Sequence, residues 1–186
     1  MTILILGLII FLGIHLLPTF SSIRTRLIRR IGERRYKRLY SLAAITGLIV
    51  IIIGMVYRDF VPLWTPPVWG RHAAMTLMLP AIILLVAADV PSNIKRTIHH
   101  PMLWGVTLWA SAHLLANGDL ASLILFGSFG SYALFDMWSA NRRRYKKSTR
   151  VYPASKDVKL VITGIVVYVV IIFVHPYVIG VPVIVI

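Results

Sequence analysis

Cysteine is absent from the 186 residues. Thiol nucleophiles, thiolate metal sites and disulfides are excluded together, and any chemistry is left to histidine, hydroxyl and carboxylate groups. Acidic residues are nearly as scarce, with six Asp and Glu against twenty Lys and Arg, for a net charge of +14. Charged residues make up only 14% of the chain, where an ordinary soluble domain carries about 25%. Hydrophobic residues reach 58%, with a mean hydropathy of +0.81. Too few polar side chains exist to cover a water-soluble surface of this size, so the surplus apolar surface must face lipid. The composition predicts an all-α fold class, a polytopic membrane helical bundle forming one domain over residues 1–186.

Apolar runs at residues 3–20, 39–57, 73–88, 101–116, 120–138 and 160–186 predict about six transmembrane helices. The first run has no positive leader, and its basic residues follow it, so it is expected to be an uncleaved anchor with an outside N-terminus. Residues 24–38 are too charged to span. The segment after the second run, with Pro62, Trp64, Pro66, Pro67 and Trp69, is expected to be an irregular interfacial connection. Asn117-Gly118-Asp119 is strong turn chemistry between the fourth and fifth spans.

Lys and Arg divide unequally between alternate loops. Eight lie in residues 24–38, two at Lys95 and Arg96, and eight in residues 142–159, against Arg58 and Arg71 on the other side. The positive-inside rule then places the basic loops in the cytoplasm of a bacterial inner-membrane protein, with both termini periplasmic. Orientation and attraction to anionic headgroups account for the charge without nucleic acid, even though Tyr36 and Tyr40 could be cast as stacking residues. The lipid bilayer is the expected partner.

Six histidines are the strongest candidates for chemistry, because an imidazole in lipid needs a neighbour, a metal or a cofactor. The topology puts His99 and His100 at the cytoplasmic surface and His72 and His175 at the outer interface, all expected to be interfacial or helix-end groups. His15 and His113 fall inside spans, each beside small residues that permit close helix approach. Each could bond a hydroxyl or carbonyl of a neighbouring helix. The pair on two helices could also hold haem, one axial nitrogen from each. Zinc is less attractive, since no carboxylate or third histidine stands at ligand spacing. At 1.5 Å per residue His15 lies about 18 Å from the outer end and His113 about 6 Å from the turn, so a shared iron asks for a turn sunk into the bundle. Asp89, Asp119 and Asp136 are expected to be helix-end groups, and Arg58 is expected to snorkel outward.

The block His100-Pro101-Met102-Leu103-Trp104-Gly105, continued through Leu108-Trp109-Ala110-Ser111-Ala112-His113-Leu114-Leu115-Ala116-Asn117-Gly118-Asp119, closely resembles the signature of the NnrU family. The likeness extends to His15, Gly32-Glu33 with Tyr36, Leu39-Tyr40-Ser41, Leu63-Trp64 and Leu125-Phe126-Gly127-Ser128-Phe129. These are membrane proteins that accompany denitrification and nitric oxide metabolism, so the resemblance implies an accessory role beside respiratory nitrite or nitric oxide reductase components.

The family is similar in turn to the 15-cis-zeta-carotene isomerases, membrane enzymes with haem b held by two histidines. That likeness implies haem b as cofactor, with His15 and His113 as metal ligands. A further histidine of the isomerases, in the segment matching Tyr57-Arg58, is missing here, so haem binding carries over better than polyene isomerisation. His100-Pro101 also resembles the Arg-His-Pro motif of isoprenylcysteine and phospholipid methyltransferases, which would make S-adenosylmethionine a rival cofactor. The paired-glutamate and Tyr-rich segments of those enzymes are missing from residues 140–147. A haem-binding accessory protein, a haem-dependent isomerase and a methyltransferase-like enzyme are expected in that order, and catalytic residues are not named.

Overall fold

The computed structural model describes residues 1–143 and 148–183. Residues 144–147 of the second large basic run and 184–186 of the last apolar run lie outside the described residues. Eight helices follow in chain order: α1 (Thr2–Leu16), α2 (Ser21–Ile31), α3 (Glu33–Val56), α4 (Gly70–Val86), α5 (Ile94–Thr97), α6 (Pro101–Ala116), α7 (Leu120–Arg142) and α8 (Ala154–Ile179). A 3-10 turn, Leu17–Thr19, continues α1.

Each expected apolar run contains a helix, the last of them ending at Ile179, and the architecture is the expected all-α membrane bundle. Among the described residues four helical segments are long and apolar enough to cross a membrane: Thr2–Thr19, Glu33–Val56, Leu120–Arg142 and Ala154–Ile179. The helices α4 and α6, with 17 and 16 residues, are shorter. The basic segment 24–38 is not a loop but two helical pieces. Gly32 divides them at φ +82°, a conformation that side chains other than glycine's rarely adopt. The second piece begins α3, six residues before the apolar run. The helix α2 is amphipathic, with Arg24, Arg26, Arg29 and Arg30 exposed and Leu27 and Ile31 half-buried.

The six long helices pack in the order α3, α1, α7, α6, α4, α8. Successive helices of this row run antiparallel except α1 and α7, which run parallel, residue i of α1 lying beside i+117 of α7. Thr19 donates to Asp136 (3.3 Å), and the Tyr132 hydroxyl donates to the His15 carbonyl (3.3 Å) in that register. These directions bring all three basic segments to one end of the bundle.

Lipid tails are as apolar as leucine, so helices associate here through close packing and not through exclusion of water. The α1/α3 contact shows the consequence. A Cβ on Gly54 would stand 2.5 Å from the Leu4 backbone, and Gly7 against Ile51 and Gly47 against Phe11 repeat the approach at successive turns. Outward faces of the same helices are apolar, with Leu42 62% and Val56 64% exposed.

At the basic end, side chains tie the helices together. Asn93 donates to the Tyr152 carbonyl (2.8 Å) and to Asp157 (2.7 Å) and accepts from the Tyr152 amide (2.9 Å), joining the α4/α5 connection to the start of α8. Buried His100 places Nε2 2.9 Å from Asn141 Oδ1, joining the start of α6 to the end of α7. His100 was expected at the surface. It is buried because the antiparallel α6/α7 pair brings these two ends together.

Gly54→Val should destabilise the protein by about 1–3 kcal/mol, because a β-branched side chain would have to force α1 from α3. Gly13→Ala, where an added Cβ meets nothing within 4 Å, should be neutral or slightly stabilising. Thermal unfolding in detergent compares the two.

Candidate functional site

The α6/α7 turn lies under cover. Gly118 and Asp119 are buried, and residues 61–64 lie across them in a strand-like bridge. The amides of Leu63 and Trp64 donate to the Gly118 carbonyl (2.8 and 3.1 Å), and the Leu120 amide donates to the Val61 carbonyl (2.9 Å). A Cβ on Gly118 would collide with the Trp64 carbonyl, so only glycine fits beneath the loop. The loop of prolines and tryptophans is thus a lid over a sunken turn.

Asp119 caps α7. Its carboxylate accepts from the Ser122 amide (3.0 Å) and hydroxyl (2.6 Å), satisfying donors that the first helical turn leaves open. Arg58 was expected to snorkel outward. Instead it is half-buried, with Nε 3.8 Å from the Asp119 carboxylate and Nη1 donating to the Met55 carbonyl. The buried carboxylate draws it in.

His15 and His113 are half-buried and share one arrangement. Nδ1 of His15 lies 2.7 Å from the Phe11 carbonyl, and Nδ1 of His113 lies 2.8 Å from the Trp109 carbonyl. A carbonyl can only accept, so Nδ1 carries the proton, and Nε2 is the nitrogen that holds the lone pair when the ring is neutral. Ligating histidines are commonly held in this way.

The two rings stand at opposite ends of an aromatic run. His15 stacks on Phe11 (4.2 Å between centroids), Phe11 meets Phe129 (5.4 Å), Phe129 meets Trp109 (5.4 Å) and Trp109 meets His113 (5.2 Å). Phe126 stacks on His113 at 4.4 Å and also meets Trp109 at 4.9 Å, and Tyr132 and Tyr40 meet His15 edge-on at 6.3 and 5.6 Å. His113 therefore lies level with Phe126 and His15 level with Tyr132, six residues or about 9 Å of rise along α7. The sunken turn reduces the offset expected from chain position, yet does not cancel it. Imidazole nitrogens sharing one metal ion at about 2 Å each stand about 4 Å apart. The donor chemistry of both residues fits axial ligation, and Phe11, Phe129 and Trp109 occupy the space between them.

The other histidines lie elsewhere. His72 is exposed on α4, His99 is exposed before α6, and His175 on α8 places Nδ1 2.7 Å from the Val181 carbonyl. Among the described residues no three His, Asp or Glu side chains converge on a metal position. Inspection of the sequence singled out the histidines but missed their aromatic partners. The signal was present as helical spacing: Phe11 with His15 and Trp109 with His113 at i, i+4, and Phe126, Phe129 and Tyr132 at i, i+3, i+6.

Fold and site together define an all-helical membrane protein with two half-buried imidazoles at opposite ends of one aromatic run. The chain belongs to the NnrU family, whose model, described as NnrU protein, matches residues 3–183. Searches of the curated proteins and of the solved structures found no match.

Asp119→Ala should cost at least about 1 kcal/mol, the loss of a helix cap, plus the effect of an unpaired Arg58. Asp119→Asn keeps a good cap and should cost less. Thermal melts of both variants, with Arg58→Met added to Asp119→Ala, should show partial recovery in the double variant.

Proposed function

We propose that this protein is a haem b-binding accessory protein of denitrification and nitric oxide metabolism, seated in the bacterial inner membrane with His15 and His113 as axial ligands. The observation that carries the reading is the common state of the two imidazoles. Each gives its Nδ1 proton to the carbonyl four residues earlier and keeps Nε2 as a donor atom within an apolar bundle. For both nitrogens to reach one iron, Phe11, Phe129 and Trp109 have to turn from between them. Those rings would then be the wall that excludes water from the cofactor. When bound, the haem would supply a seat for a small gas such as nitric oxide, or a one-electron couple.

Orientation follows from charge. The three basic segments gather at one end of the bundle, and the positive-inside rule puts that end in the cytoplasm and both termini in the periplasm. Nitrite or nitric oxide reductase components in the same membrane are the partners this role requires. A methyltransferase-like site would need a pocket around His100, but that side chain is buried against Asn141. Polyene isomerisation would need a long groove beside the iron, and the residue matching the isomerases' further histidine is an exposed Tyr57 or the Asp119-facing Arg58.

Absorbance spectra of the purified protein test the ligands. The wild type should show a low-spin Soret band that His15→Ala and His113→Ala each abolish or convert to high spin. Retention of the wild-type spectrum by both variants refutes the assignment, and His72 with His175 become the next pair.

Deleting the gene should raise nitric oxide and slow growth during respiration on nitrite, and leave aerobic growth intact. Unchanged denitrification, together with conversion of 15-cis-zeta-carotene by the purified protein, would move the function to isomerisation.

A further inference from the structure

A cleft of about 490 Å³ opens at the basic end between α2 and the start of α3, and touches the aromatic run through Tyr40, whose ring also meets His15. It is lined by Pro18, Arg24, Tyr36, Lys37, Tyr40 and Ser41. Three hydroxyl-bearing and two cationic residues therefore line one space. Lys37 is already engaged, with Nζ 2.7 Å from the Glu33 carboxylate and both side chains largely exposed. With Glu33 counted, Arg24 leaves the cleft one net positive charge. Its guanidinium stands 6.0 Å from the centre of the Tyr36 ring, close enough for a cation–π contact that holds it over the cleft.

Tyr36 is the informative member. The residue is only 8% exposed, and its hydroxyl is buried with no hydrogen-bond partner among the described residues. Buried hydroxyls are nearly always paired, since an unmade bond costs the full desolvation of the group. An orphan donor beside an arginine, in a cleft with two further hydroxyls, is the arrangement that a multi-oxygen anion completes. A phosphate ester offers acceptors for the guanidinium fork and for the hydroxyls together.

Apolar surface beside the cleft distinguishes the source of that phosphate. Phe20 and Ile23 are 51% and 46% exposed, and Leu39 and Leu42 are 57% and 62% exposed. Phe20 just before α2, Ile23 on α2 and Leu39 and Leu42 on α3 are chain neighbours of the residues that line the cleft, an apolar surface on which an acyl chain can lie while its headgroup stays at the basic end. We infer that this cleft binds the phosphate headgroup of one anionic membrane phospholipid, held by Arg24 and the Tyr36 hydroxyl, with Tyr40 and Ser41 as further donors. The site stands independently of the cofactor reading above.

Native mass spectrometry of the full chain released from detergent tests the inference, with dioleoylphosphatidylglycerol, dioleoylphosphatidylcholine and inorganic phosphate as probes. The wild type should retain one phosphatidylglycerol in preference to phosphatidylcholine, and Arg24→Gln and Tyr36→Phe should each weaken retention about tenfold, the loss of one strong hydrogen bond. Arg26→Gln and Arg29→Gln, which line a separate cleft on α2, should retain it as the wild type does. Tyr36→Phe should also leave the lipid-free protein as stable as the wild type or more so in a thermal melt, because it removes an unpaired hydroxyl. A purely structural Tyr36 would instead lower the melt and leave lipid retention unchanged. Equal losses in the Arg26 and Arg29 variants would show diffuse attraction and overturn the site. Displacement of the lipid by millimolar phosphate would assign the cleft to the free ion and overturn the lipid reading.

Discussion

Backbone polar groups in a bilayer must find partners within the protein, and the α6/α7 turn is where this constraint bears hardest. With sixteen residues, α6 rises about 24 Å, short of a hydrocarbon core of about 30 Å. A turn that ends such a helix cannot rely on water, and each unmet group there costs several kcal/mol. Residues 61–64 supply the missing partners through backbone bonds to Gly118 and Leu120. Asp119 supplies others at the start of α7. The loop that looks irregular in composition is ordered by the need of the turn beneath it.

Once its start is held in this way, α7 sets the register of its two neighbours. Ala121, Leu125 and Phe126 share a buried core with Leu4 and Leu8 of α1 and Ala110 of α6. One turn further along, Phe129 touches both Phe11 and Trp109. The two imidazoles are therefore placed by a single helix between them, and rotation or sliding of α7 would change their separation. Their protonation, by contrast, is local. Each ring is locked to the carbonyl of its own preceding turn, so Nδ1 keeps its proton and Nε2 stays the free nitrogen wherever the helix moves.

The basic end is organised differently. Its charges are spread over exposed arginines and lysines, while neutral or paired side chains make the ties between helices. Asn93 meets a backbone segment and a carboxylate with all of its amide atoms, and His100 reaches Asn141 across α6 and α7. This division leaves exposed cations such as Arg26, Arg29 and Arg30 available to headgroups, where each contributes about 1 kcal/mol of attraction to an anionic surface. A structure that spent them on internal ion pairs would lose part of that attraction to the membrane.

Composition and periodicity alone determine that this chain is a helical membrane protein, because long apolar runs with few charges have no other stable place. They also determine which ends are basic, and they single out His15 and His113, since an imidazole inside an apolar run is costly and conspicuous. The aromatic partners at i, i+4 were legible too, once helix was assumed. Local order along a helix is a property of neighbours in sequence, and spacing reports it. Arg58 turning toward Asp119, His100 buried against Asn141, the lid of residues 61–64 and the rings between the two imidazoles were decided only by tertiary structure. Each of those features joins segments dozens of residues apart, and their meeting depends on helix order, direction and register. In lipid these are settled by how closely backbones can pack, a quantity that a run of apolar letters does not encode.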